Sequence, residues 1–371
     1  MSTKVSKNGK IEFARFAFAI LIMLFHIGDV LLPSDFRILD KITFFSNGYF
    51  GVEFFFAVSG YLMASAAFKR QSSQQSLGKE TFEFMKRKLL AVLPYHLIVF
   101  TITFIGVCIL TRVDIFEFLT RVLQSIPNLL FVQRSGLANK DILGVEWYIS
   151  DMLIAMYILY PICLKYYDRF TRIIAPVTSL LIIGYLIKTT GSLNGSTAWS
   201  VIVAKTFLRA VSEICAGVFT FEVCRNINKL NFTKKDKVML TIFEVVSYLV
   251  VLGFITLDIA DKYAGTIFIF ACIAICLSFS EVTYGKRIFN NKVVYFLGSL
   301  SLPLYLCHSL TRRIVNSAYK NIESFNDLGV TVAIVIFFVI SFAFVFVAMP
   351  LEKLLRKAIN NKLEQIAAKK Q

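Results

Sequence analysis

Charge is what this chain lacks. Asp, Glu, Lys and Arg make up 17% of its 371 residues, against 57% hydrophobic, and the mean hydropathy is +0.67. Soluble domains carry about a quarter charged residues, so this composition excludes an ordinary soluble enzyme and points to a chain that crosses a bilayer many times. Histidine is scarcer still. Three (His26, His96 and His308) are too few for a histidine-built metal centre. The seven cysteines (Cys108, Cys163, Cys215, Cys224, Cys272, Cys276, Cys307) lie in or at the ends of apolar stretches, with no CxxC or Cys/His spacing. Their odd number and placement argue against a disulfide framework or a zinc site and leave them as small packing residues. No bound cofactor and no metal are expected. Internal repeats and low-complexity segments are absent, and no connection between apolar runs is long enough for a soluble domain, so residues 1–371 are expected to form one membrane domain with no appended soluble part.

The charges that are present are unevenly spread. Lys and Arg number 40 against 24 Asp and Glu, a net +16, and they cluster between apolar runs, which topology explains better than nucleic-acid binding. Ten spans are expected, near 13–32, 48–68, 89–111, 145–164, 172–188, 199–224, 238–257, 263–280, 293–311 and 328–349. The N-terminus, 69–88, 165–171, 225–237, 281–292 and the tail after Glu352 are rich in Lys and Arg, whereas 33–47, 189–198 and 258–262 are poor in them. The positive-inside rule then places both termini in the cytoplasm, as an even span count requires. The basic start resembles a signal peptide, but the following run is long enough to span and lacks a small-residue cleavage site, so it is expected to stay as the first span. The expected fold class is an all-α, multi-pass integral membrane protein. In the long outer connection 112–144, Ile115–Val132 is amphipathic around Pro127 and reads as an interfacial or re-entrant helix shaping an outer vestibule, or as a loop cover.

Ionisable residues inside hydrocarbon are costly and are usually there for a task or a buried partner. Arg15 and His26 share the first span, eleven residues or roughly 16 Å apart and nearly on one face. That face can hold an anion near one end and act on its far end at depth. Counting from the span ends puts His26, Glu53 and Asp151 at similar depth, where a carboxylate would orient the imidazole and raise its basicity. The alternative is a structural ion pair. Arg209 and Glu213, at i, i+4, read as a self-neutralising pair or a substrate contact. His96 and His308 are lining residues or histidines satisfied by backbone carbonyls. Trp147, Tyr148 and Tyr160 near span ends are ordinary for aromatic belts. Lys86-Arg87-Lys88 reads as a topology signal, a lipid-headgroup contact or a phosphate cradle.

Five segments in order match one pattern. Arg15…His26 has the R-x10-H spacing, and Val52-Glu53-Phe54-Phe55-Phe56-Ala57-Val58-Ser59-Gly60-Tyr61 looks like D-x-F-F-x-x-S-G-F/Y. Phe84-Met85-Lys86-Arg87-Lys88 leading to Pro94-Tyr95 is a basic motif before a proline. Trp147-Tyr148-Ile149 through Tyr160-Pro161 and Gly298…Ser301…Tyr305-Leu306-Cys307-His308 complete the series. The chain thereby resembles the membrane-bound acyltransferase 3 family over essentially its whole length. Glu53 replaces the usual aspartate, Ala91 stands where many members carry an arginine, and no hydrolase-like domain follows the last span.

The resemblance implies an O-acyltransferase of the bacterial cytoplasmic (inner) membrane. It would move an acyl group, most often acetyl, from cytoplasmic acetyl-CoA or another acyl-CoA to a sugar hydroxyl of O-antigen, capsule or exopolysaccharide, lipid-linked or not. Arg15, Lys86, Arg87 and Lys88 would bind the CoA phosphates. His26 would be the general base, with Glu53 orienting it. Ser59, Trp147, Tyr148, Asp151, Tyr305 and His308 would line the acceptor side. Expected partners are membrane lipids, acyl-CoA and the sugar acceptor, without nucleic acid. The rival class is a secondary transporter or exporter, but the in-span prolines Pro94, Pro161 and Pro303 do not recur at matching positions of two halves.

Overall fold

The computed structural model describes residues 7–33, 36–135, 143–195, 198–200 and 202–368. The first six residues of the basic N-terminus and residues 136–142 of the long connection 112–144 lie outside that set. Eleven main helices follow from apolar runs closed by local capping. α1 (Gly9–Leu31) starts at Asn8, whose side chain accepts from the Ile11 N–H. α2 (Gly51–Lys69) continues a 3-10 turn at Gly48–Phe50. α3 (Leu77–Leu110) is followed by α4 (Ile115–Leu129), capped by Asp114 accepting from Glu117 N. α5 (Trp147–Lys165) leads to α6 (Tyr167–Thr190), which contains a wide π turn at Phe170–Ile174 and stops at Gly191 with φ +72°. α7 (Lys205–Ile227), α8 (Lys234–Thr256), α9 (Ala264–Phe279), α10 (Lys292–Asn321) and α11 (Gly329–Ala368) complete the set. α8 begins with a Thr233/Asp236 capping box. The strands form two short antiparallel ribbons, Arg37–Leu39 with Ile42–Thr43 and Trp199–Ser200 with Val203–Ala204.

Nine helices among the described residues are long and apolar enough to cross a bilayer: α1, α2 with its 3-10 turn, α3, α5, α6, α8, α9, α10 and α11. The chain is a multi-pass, all-α membrane protein. The expected span at 199–224 is a ribbon followed by α7, which carries Lys205, Arg209, Glu213, Glu222 and Arg225. It falls short of a lipid-facing composition because most of it is buried in protein, where charges pair with one another. Two boundaries also shift. α3 starts twelve residues before the expected 89, at Ser76 accepting from Lys79 N, so Lys86, Arg87 and Lys88 lie on a helix and not in a loop. The 40 residues of α11 measure roughly 60 Å, about twice a hydrocarbon core, so the tail after Glu352 continues as helix.

The described chain groups into two units, one of residues up to Met85 with Trp147–Ser301, the other of Lys86–Glu146 with Leu302 onward. In the first, α2 and α7 approach at glycines: a Cβ on Gly60 would overlap the Ile214 carbonyl, and one on Gly217 the Ala57 carbonyl. Backbone cannot yield as a side chain can. Gly217→Ala is therefore expected to destabilise by ~1–3 kcal/mol through forced separation of the helices. Gly184→Ala, whose Cβ meets nothing within 4 Å, should be neutral or stabilising. Thermal unfolding in detergent checks both.

In the second unit, loop carbonyls tie α10 in place. Tyr305 Oη donates to the Val145 carbonyl at 2.7 Å, and Ser309 Oγ donates to that of Leu143. Thr311 and Ser341 join α10 to α11 at 2.7 Å.

Candidate active site

His26 lies on the C-terminal half of α1, half-buried, with its ring beside that of Phe25 at 5.1 Å. Arg15, three turns earlier, keeps a third of its side chain exposed and makes two long contacts, Nη1 to Glu12 Oε1 and Oε2 at 3.4 and 3.5 Å. Both retain an accessible face. The other candidate charges of this unit are treated differently.

Glu53 is fully buried, and its Oε1 accepts from Arg209 Nη2 at 2.6 Å, while Oε2 has no hydrogen-bond partner. Arg209 Nε stands 3.5 Å from Glu213 Oε1, and the guanidinium carbon lies 5.2 Å from the Trp147 ring and 5.9 Å from that of Tyr49. One cation thus serves two buried carboxylates beneath two aromatic rings. The hydrogen bond expected between Glu53 and His26 is replaced by this one. The reason is register. Gly48 packs on Phe25 and Gly51 on Ile22, and the Phe18 and Phe54 rings stack at 4.4 Å, so Glu53 lies level with the middle of α1, roughly 10 Å along the axis from His26. Counting depth from span ends assumed level ends, and α1 extends well past the turn that begins α2. The i, i+4 reading of Arg209 with Glu213 is likewise incomplete, since the shorter contact of Arg209 is to Glu53.

Around this cluster, Ser59 Oγ lies 3.3 Å from both Tyr148 Oη and Met152 Sδ. Trp147 and Tyr148 are buried against Phe56 and are not an exposed belt. Asp151 is fully buried one turn beyond Trp147. Tyr49 Oη donates to Asp261 Oδ1 at 2.9 Å, and Ser192 donates to Oδ2 at 2.6 Å.

The second unit holds Lys86, Arg87 and Lys88 on α3, with Arg87 exposed and the lysines half-buried. Arg356 of α11 donates to the Leu90 and Ala91 carbonyls at 3.1 and 3.3 Å, so a guanidinium stands where the Ala91 side chain supplies none. Buried His308 has Nδ1 3.3 Å from the Leu304 carbonyl.

Two pairs escaped the sequence reading. His96 Nδ1 hydrogen-bonds Glu146 Oε1, both fully buried, and Lys10 meets Glu244 at 2.6 Å. Glu146 directly precedes Trp147 at the edge of the span expected over 145–164, where a carboxylate reads as an end residue facing the polar boundary. Among the described residues, no three His, Cys, Asp or Glu side chains converge as metal ligands would.

A profile of the acyltransferase domain family matches residues 8–351. The chain belongs to the acyltransferase 3 family. No curated protein and no solved structure matches it. Membership makes this chain a membrane-bound acyltransferase, and the match runs from the residue capping α1 into α11, so every residue of the candidate site except Arg356 lies within it.

Proposed function

We propose that this acyltransferase moves an acyl group, acetyl in the first instance, from acyl-CoA to a sugar hydroxyl at the surface of a bacterial cytoplasmic membrane. The observation that carries the reading is the contrast on α1 and around it. Arg15 and His26 share one helix and keep exposed surface, whereas Lys10, Glu53 and Arg209 of the same unit are buried. A cation and an imidazole three turns apart suit a long, phosphate-headed donor that reaches the imidazole with its reactive end.

In the proposed reaction, His26 takes the proton of the acceptor hydroxyl as its oxygen bonds to the thioester carbonyl carbon. The C–S bond breaks, and the departing thiolate receives the proton from the imidazolium. Atoms and charge balance without a bound cofactor. Glu53 contributes by fixing α2 to α7 through Arg209. Lys86, Arg87 and Lys88 are separate phosphate candidates, for which Arg87→Ala is the individual test.

The protein reconstituted in vesicles should release CoA thiol from acetyl-CoA only when a sugar acceptor is present, and glycan mass should rise by one acetyl. Solute flux without CoA release would instead support a transporter. Arg15→Ala is expected to raise the KM for acyl-CoA about 10- to 100-fold, the loss of one charge-assisted contact. Arg15→Lys should restore part of it, because lysine keeps the charge without the planar fork. An unchanged dependence on acyl-CoA concentration in Arg15→Ala would remove the donor role.

A further inference from the structure

The first unit holds a cavity of about 760 Å³ that the reaction above does not use. It lies between α6, α7, α8 and α9, half-open, and its wall is apolar, with Ile183 and Ile187 from α6, Phe219 from α7, Phe243 from α8, and Ile269 and Ile273 from α9. Along α6 it runs from Pro176 to Lys188, roughly 18 Å, and along α9 with its leading turn from Lys262 to Leu277, roughly 22 Å. Those lengths somewhat exceed one leaflet, about 15 Å of a hydrocarbon core some 30 Å thick.

One end of the groove is cationic. Gly265 packs on Ile183 and Ile187, which puts the starts of α9 and the end of α6, and hence Lys262 and Lys188, at the same level. Both lysines are exposed, and among the described residues neither makes an ion pair within 4 Å. Asp261, next to Lys262, makes no ion pair with it; its two oxygens face Tyr49 and Ser192, whose hydroxyls they accept from. An apolar groove at least a leaflet long, ending in two ammonium groups, is complementary to one molecule of the surroundings, a lipid with an anionic headgroup.

We propose that this groove is a binding site for an anionic phospholipid of the bilayer, one acyl chain lying along α6 and α9 and the phosphate between Lys188 and Lys262. The assignment does not depend on the acyl-transfer reading.

Gly184 provides a clean probe. It lines the groove, and a Cβ built there meets nothing within 4 Å, so Gly184→Leu starts its side chain in open space at the groove wall and replaces glycine by a better helix former. Native mass spectrometry of the purified full chain, titrated with phosphatidylglycerol or phosphatidylcholine of identical chains, reads the site directly. The wild type should prefer phosphatidylglycerol, by roughly 5-fold for each lysine near the headgroup. The Lys188→Gln/Lys262→Gln variant should bind both lipids alike. Gly184→Leu should lose the tight lipid of either class at unchanged or higher thermal stability. Equal binding of the two lipids by the wild type would overturn the proposal, as would undiminished phosphatidylglycerol binding by Gly184→Leu. Displacement of phosphatidylglycerol by an equal concentration of polyisoprenyl phosphate would assign the groove to an isoprenoid carrier instead.

Discussion

His26→Ala is expected to abolish measurable acyl transfer while the protein stays folded in the membrane. Losing a general base lowers the rate on the order of 10²- to 10⁴-fold. The half-buried ring stands outside the charge pairs of Glu53 and Lys10, so its removal opens no fully enclosed cavity and strands neither pair. The measurement is CoA release and acetylated glycan per unit of folded protein, with unfolding temperature recorded beside it. Normal turnover by a well-folded His26→Ala protein would take His26 out of the mechanism. The double variant His26→Ala/Glu53→Gln adds a second reading. If Glu53 oriented the imidazole, the second change would cost little further activity. Because Glu53 instead meets Arg209, the double variant should combine the rate loss of one with a separate loss of folded protein from the other, nearly additively.

What was legible in the sequence follows from what hydropathy and caps encode. Nine apolar helices are visible because each is a lipid-length run, and α4 at Ile115–Leu129 falls within the amphipathic stretch 115–132. Ser76 before Leu77 is a readable start signal for α3, but the basic residues that follow over 79–88 read as a loop. Helix register is written less openly. It is carried by Gly48 and Gly51, whose missing side chains let α2 begin against the side of α1, and counting from span ends cannot detect that. The partner of Glu53 was equally hidden, because a contact 156 residues away leaves no trace in periodicity. Arg209 was visible as an unusual buried cation, but its nearest sequence partner, Glu213, drew the assignment.

Arg209→Ala is expected to be among the most damaging single changes to stability. It would leave Glu53 and Glu213, both fully buried, without their shared cation, and removing one partner from a buried charge pair costs about 3–5 kcal/mol. Arg209→Lys should recover only part of this, since a single ammonium cannot present a planar fork to carboxylates on α2 and α7 at once. The two carboxylate variants should differ in size. Glu53→Gln weakens the 2.6 Å contact that joins the helices and should lower the unfolding temperature clearly. Glu213→Gln removes only the longer, 3.5 Å contact and the surplus negative charge, so its stability should stay within about 1 kcal/mol of wild type or rise. Thermal unfolding in detergent, with membrane protein levels alongside, separates these outcomes. Wild-type stability in Arg209→Ala would show that the cluster does not hold α2 to α7. A Glu213→Gln loss as large as that of Arg209→Ala would show that the fold depends on the second carboxylate as much as on the cation.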